Sequence, residues 1–375
     1  MIAGILKEPI GENRVSLLPE QAETLIKKNV EIWVEDGAGS NAYATNDAYT
    51  AKGVKVGQRE EILQQCDMIF SISTLTEVDV AKLKPGAVVL GVYQPLFNFA
   101  TMQQWAAKGI AAFSLDTIPR TTRAQSMDVL SSQANIAGYR AVLVASTLFP
   151  RYFPMFMTAA GSIPPAKVLI LGAGVAGLQA IATAKRLGAV IEVFDTRPAV
   201  KEEVMSLGAK FVEVEGAADA SKAGGYAVEQ TEEYKQKQQA RIAEAVAKAD
   251  IIITTAQIPG KKAPILLTEA MIGAMKNGSV IIDLAAATGG NTPLTKNNET
   301  IVSANGVTIL GNSNLPSGMP FDASKMYGKN VLNFLQLIIN KDGVLGLNFE
   351  DDIVKGCCIT HNGQVVNERV KTLLS

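Results

Sequence analysis

Lys167 to Asp195, KVLILGAGVAGLQAIATAKRLGAVIEVFD, is the stretch that most constrains what this chain can fold into. Val168 to Leu171 is an apolar run suited to a parallel strand buried on both faces. Gly172, Gly174 and Gly177 follow in G-x-G-x-x-G spacing. Leu178 to Leu187 has a helical pattern that Gly188 ends. Val190 to Phe194 reads as a second strand, with Asp195 at its carboxyl end. In this pattern the first glycine permits a tight turn. The second lets backbone N–H groups approach a pyrophosphate, and the third lets helix and strand pack closely. The helix N-terminus then presents its partial positive charge to the phosphates. A plain glycine-rich turn would satisfy the spacing alone. The strand before it, the helix after it and the acid in its expected place favour dinucleotide binding. Asp195 is then expected to accept hydrogen bonds from the adenosine ribose. A 2′-phosphate beside that carboxylate would cost on the order of 1 to 4 kcal/mol, which favours NAD(H) over NADP(H). Arg197 softens the preference, because a nearby arginine can accommodate a 2′-phosphate.

A length of 375 residues suggests two domains. A net charge of -1 gives no support for a nucleic-acid or anionic-membrane partner. Three cysteines, Cys66, Cys357 and Cys358, with no C-x-x-C pair argue against a disulfide framework and a zinc site, so no metal is expected. The N-terminus, MIAGILKEPIGENR, lacks the pattern of a signal peptide. The apolar window Ala159 to Ala184 contains Pro164, Pro165, Lys167 and the glycine fingerprint, so it reads as folded chain rather than a bilayer span.

Strand-like and helix-like segments alternate through the first third. Ile2–Leu6, Val30–Val34, Met68–Ile72, Val88–Val92 and Ile110–Ser114 read as strands, and 19–28, 47–51 and 102–108 as helices. Such alternation implies a parallel sheet covered by helices. Lys7-Glu8-Pro9 stands where a glycine fingerprint would follow the first strand, so this half should lack its own dinucleotide site. Ser126 to Phe149 reads as one long helix, and Asp322 to Ile339 as another. The expected fold is α/β: two Rossmann-like, doubly wound parallel-sheet domains with a cleft between them. Residues 1–130 with 321–375 would form the first domain and 131–320 the dinucleotide domain.

Ordinary dehydrogenases move a proton with the hydride and need a positioned acid or base. The one histidine, His361, lies in Thr360-His361-Asn362-Gly363 and reads as a solvated turn residue rather than a catalytic one. Hydride exchange between two nicotinamide rings needs only proximity, orientation and exclusion of water. Arg120 precedes the long helix, while Gln125, Asp128 and Ser131 recur every three residues and would share one helix face. A capped helix start with a solvated polar face explains that pattern equally well. Gly224-Gly225-Tyr226 reads either as a hinge whose tyrosine folds over a ligand or as a mobile surface loop.

PRTTRAQSMDVLSSQANIAGYRA, MTAAGSIPPAKVLILGAGVAGLQAIATAKRLGA, TTAQIPGKKAP and GSVIIDLAAATGGN strongly resemble the soluble NAD(H)-binding component of the proton-translocating NAD(P) transhydrogenases, the N-terminal portion of their alpha subunit. KEPIGENRVSLLPE is shared more widely, with alanine dehydrogenases as well. The resemblance implies a homodimer of two-domain chains that binds NAD(H). It implies a beta subunit carrying NADP(H), membrane-spanning subunits that couple hydride transfer to proton translocation, and a cytoplasmic position at the inner membrane. It implies a Re/Si-specific transhydrogenase. It places Arg120, Gln125, Asp128 and Ser131 around the nicotinamide and its ribose. Gly172, Gly174, Val175 and Gly177 would hold the pyrophosphate, and Asp195, Thr196 and Arg197 the adenosine ribose. Ala256 and Gln257 would border the adenine, and Gly225 and Tyr226 would lie in a loop closing on the nucleotide. Gln125, Arg120 and Asp128 would then be the residues nearest the reacting ring.

Two departures weigh against amino-acid chemistry. Ser71 stands where relatives tend to carry a lysine. Val92-Tyr93-Gln94-Pro95 lacks the catalytic histidine that alanine dehydrogenases carry there. Arg14, matching a substrate contact in alanine dehydrogenases, is explained as easily by a structural salt bridge. The rival readings are an alanine dehydrogenase-like enzyme and a non-catalytic NAD(H)-binding module.

Overall fold

The computed structural model describes residues 1–214 and 231–374. The chain divides into two compact units, 1–133 with 317–375, and 134–316, and the boundary falls inside the helix Val129–Leu148.

In the first unit, six parallel strands stand in the order Lys55–Gly57, Glu31–Glu35, Ile2–Ile5, Met68–Phe70, Val88–Gly91 and Ala111–Ser114. Numbered along the chain this is 3-2-1-4-5-6, a doubly wound order that reverses at the first strand. Alternation of side chains across the pleat divides the central strands between two cores. Met68, Phe70, Val88 and Leu90 enter one core with Phe113 and Phe334. Ile69 and Val89 enter the other with Leu63, Met102 and Trp105. The helix Pro320–Ile338 lays Tyr327, Val331, Phe334 and Leu335 into the first of these cores. The strand Cys358–His361 then pairs antiparallel with Ala111–Ser114. The parallel sheet ends at this edge in two antiparallel strands, where the tail returns as a hairpin.

The second unit repeats the order. Its parallel strands run Lys210–Phe211, Val190–Phe194, Lys167–Leu171, Ile251–Thr254, Val280–Asp283 and Thr308–Gly311, with Glu299–Val302 antiparallel at the far edge. Val168, Ile170, Ile253 and Ile282 face one core, and Leu169, Leu171, Ile252 and Ile281 the other.

The long helix starts at Val129 rather than Ser126. Thr122–Met127 forms a 3-10 helix, and the Asp128 carboxylate accepts from the Ser131 N–H at 2.9 Å and the Ser131 hydroxyl at 2.6 Å. An aspartate that satisfies the first-turn donors fixes the helix start after itself. Gln125, Asp128 and Ser131 therefore do not share one α-helical face: one lies in the 3-10 turn, one caps and one is helical. The strand Lys55–Gly57 and the helices Arg59–Gln65 and Glu77–Lys82 add to the elements read from sequence. Among the described residues no helix is long and apolar enough to cross a membrane.

Candidate functional site

The fingerprint sits at the carboxyl end of Lys167–Leu171, beside the point where the strand order reverses. That position is where open α/β sheets bind ligands. Gly172 has φ +106°, a conformation that disfavours any side chain. The second and third glycines do different jobs. A Cβ on Gly177 would lie 1.9 Å from the Gly172 carbonyl oxygen, so only glycine lets the helix Val175–Arg186 sit this close. Among the described residues, a Cβ on Gly174 would meet nothing within 4 Å. Gly174 is the N-cap and, having no side chain, supplies no cap bond to the first-turn N–H groups. An anion acceptor fits there, so the residues present suit a dinucleotide pyrophosphate. Val175 is exposed at the helix start. Gly138 makes a second close approach, its Cβ position 2.0 Å from the Ala176 carbonyl oxygen, which explains the small pair Ala137-Gly138.

Asp195 is buried at the end of Val190–Phe194, with Thr196 half-buried beside it. Its carboxylate accepts from the Ala173 N–H at 2.7 Å, tying the second strand's end to the glycine turn. The Arg197 N–H donates to Oδ1 at 2.8 Å, Nε donates to Oδ1 at 2.9 Å, and Nη2 donates to Oδ2 at 2.8 Å. A carboxylate offers about four acceptor positions, and these four donors occupy them. The ribose contact expected of Asp195 therefore meets a carboxylate already engaged by Arg197.

Across the reversal point, the Thr255 hydroxyl donates to the carbonyls of Leu171 at 3.3 Å and Gly172 at 3.1 Å. Ala256 is half-buried and Gln257 exposed. The Gln257 amide donates to the Leu284 carbonyl at 3.0 Å. Asn291, fully buried, is not singled out by the sequence. Its Oδ1 accepts from the Ala256 N–H at 3.2 Å, and its Nδ2 donates to the carbonyls of Ala256 at 2.9 Å and Pro264 at 2.8 Å. Asp283 accepts from the Asn291 N–H at 2.7 Å. Asn291 thus fixes the Ala256–Gln257 segment. Its only sequence signal is an asparagine after Gly289-Gly290, which reads as a turn.

Arg120, Gln125, Asp128 and Ser131 lie in the first unit; Arg120 and Gln125 are exposed and the other two half-buried. Gly225 and Tyr226 lie outside the described residues.

Two family models match the chain: the alanine dehydrogenase/PNT N-terminal domain over residues 4–137 and the C-terminal domain over residues 141–368. The chain belongs to the alanine dehydrogenase/PNT family. Within it, the chain is 46% identical over 366 residues to the NAD(P) transhydrogenase alpha-subunit protein of Rhodospirillum rubrum, covering 95% of each. It is 41% identical over 368 residues to the NAD(P) transhydrogenase subunit alpha of Haemophilus influenzae, covering 98% of this chain and 72% of that one. These matches place it in the transhydrogenase alpha-subunit family. A transhydrogenase from Sinorhizobium meliloti superposes with TM-score 0.89 at 42% identity, covering 98% of this chain and all of that one. An L-alanine dehydrogenase at 22% identity shares the fold, with TM-score 0.83.

In this transhydrogenase-family chain Ser71, Tyr93 and Arg14 all have partners within the first unit. The Ser71 hydroxyl lies 3.2 Å from the Tyr93 hydroxyl, and both are buried. Arg14 pairs with Glu12 at 2.6 Å and donates to the Gln133 side-chain oxygen at 2.7 Å, so the salt bridge is present. Glu8 accepts from the N–H groups of Ile72 at 2.6 Å and Ser73 at 2.9 Å, while burial pushes its pKa up to about 7. His361 is less solvated than its turn sequence implies: its ring lies 4.8 Å from that of Phe349, and Nδ1 is buried with no hydrogen-bond partner among the described residues.

Proposed function

We propose that this chain is the NAD(H)-binding component of a proton-translocating transhydrogenase. Hydride would pass directly from NADH here to NADP+ on a partner, giving NAD+ and NADPH. The observation that carries the reading is the glycine loop, packed tight at Gly177 and open at Gly174, at the reversal point of a 3-2-1-4-5-6 sheet. Gly172, Gly174, Val175 and Gly177 would hold the pyrophosphate. Asp195, Thr196 and Arg197 would take the adenosine ribose, and Ala256 and Gln257, held by Asn291, would border the adenine. Arg120, Gln125, Asp128 and Ser131 would orient the nicotinamide end, with Gly225 and Tyr226 in a closing loop. Val92-Tyr93-Gln94-Pro95 offers no histidine, which suits a ring-to-ring transfer that needs orientation and dryness rather than a proton donor.

The partners in this reading are an NADP(H)-binding beta subunit, membrane-spanning subunits that couple the transfer to protons, and a second copy of the chain. The site would face the cytoplasm at the inner membrane, and the transfer would be Re/Si-specific. Residues 1–130 with 321–375 and residues 131–320 would be its two domains. The test mixes the purified chain with an active NADP(H)-binding component and follows reduction of an NADP+ analogue by NADH. Transfer that needs both proteins supports the reading. Turnover by the chain alone with pyruvate and ammonia would overturn it.

A further inference from the structure

We infer that Arg197 sets nucleotide specificity by closing on Asp195, so that a ribose must displace its guanidinium to reach the carboxylate. The inference rests on the dinucleotide reading above and adds a mechanism of discrimination to it. The observation is one of saturation. Two of the four donors on Asp195 belong to backbone N–H groups of Ala173 and Arg197, which hold the turn. The other two, Nε and Nη2 of Arg197, belong to a side chain that is 20% exposed, against 6% for Asp195. The guanidinium is the part of the arrangement that can leave without unfolding the loop. A diol arriving at Asp195 would exchange two hydrogen bonds to Arg197 for two of its own, so part of its binding gain is spent on the exchange.

The second consequence concerns charge. In the closed arrangement the carboxylate and the guanidinium neutralise one another. After displacement the guanidinium remains tethered two residues away. A 2′-phosphate approaching Asp195 then meets an adjacent cation as well as the carboxylate, and the repulsion expected of Asp195 alone is reduced. Arg197 accordingly weakens binding of the 2′-hydroxyl nucleotide and moderates exclusion of the 2′-phosphorylated one. Both effects lower discrimination.

The experiment titrates the intact chain with NADH and with NADPH, reading nucleotide fluorescence, for the wild type, Arg197→Ala, Arg197→Gln and Arg197→Lys. In Arg197→Ala the ratio of the NADPH Kd to the NADH Kd should rise at least about fivefold, through tighter NADH binding and weaker NADPH binding. Arg197→Gln, which keeps the stem without the charged fork, should move the same way. Arg197→Lys, which keeps the charge, should lie nearer the wild type. An unchanged or lower ratio in both neutral variants would overturn the inference, as would equal weakening of both nucleotides, which is the mark of a merely structural pair. A wild type that binds neither nucleotide would instead overturn the dinucleotide reading itself, so the two failures are distinguishable.

Discussion

The two units share one strand order and use the end of the first strand differently. In the second unit, Leu171 runs into Gly172, and the helix starts at Gly174 with no side-chain cap and, among the described residues, no atom within 4 Å of its Cβ position. In the first unit, Lys7-Glu8-Pro9 occupies that place, and Glu8 turns inward to accept from the end of a neighbouring strand at Ile72 and Ser73. The same architecture thus carries an open glycine turn in one case and a buried structural acid in the other. A doubly wound sheet brings strand ends together at its reversal point; the residues placed there decide whether the point is filled from within.

The largest expected effect comes from closing the tight side of the glycine loop. Gly177→Val must displace a backbone carbonyl and should destabilise the second unit by more than about 4 kcal/mol, read as loss of its thermal transition. The next effect separates the units by pH. Glu8 has a folded-state pKa of about 7 against an ordinary value of 4.5, so the folded protein holds the proton more tightly than the unfolded one. Its stability is intact below about pH 4.5 and falls as pH rises through 7, by about 3 kcal/mol. Trp33 and Trp105 both lie in the first unit, so tryptophan fluorescence during denaturant unfolding reports it selectively. Glu8→Gln should flatten that pH dependence; a first unit that gains stability between pH 5 and 8 would contradict the assignment.

In the second unit, Asn291→Ala leaves Ala256 and Pro264 groups without their partner. It should cost about 2 kcal/mol and weaken NADH binding, measured by unfolding and titration together. The smallest effect is expected at Arg123, whose exposed side chain pairs with Asp351 at 2.6 Å and with Asp352. Arg123→Ala should leave stability unchanged within measurement error, because solvent screens such pairs.

The strands are the most legible part of the sequence, because a strand buried on both faces must be apolar throughout, as Ile251–Thr254 and Val280–Asp283 nearly are. Lys55–Gly57 is not legible, because an edge strand of three residues carries too little pattern. The helix start after Asp128 is equally hidden, because residues three apart satisfy both a 3-10 and an α reading; the tertiary fold decides between them. At the site, the glycines stand out because backbone geometry dictates residue type. Asn291 does not, because its bond to Ala256 spans 35 residues and leaves no local trace. Asp195 is visible in the pattern, but its pairing with Arg197 is a choice of side-chain direction that spacing does not reveal.

Gly174→Ala separates a ligand loop from a plain turn. Among the described residues the added methyl meets no atom within 4 Å, and Gly174 sits at φ −79°, where alanine is comfortable. A nucleotide loop at Gly174 gives an unfolding transition within about 1 kcal/mol of the wild type, together with NADH binding at least about tenfold weaker. Unchanged NADH affinity would show that the opening at Gly174 is not where the nucleotide lies.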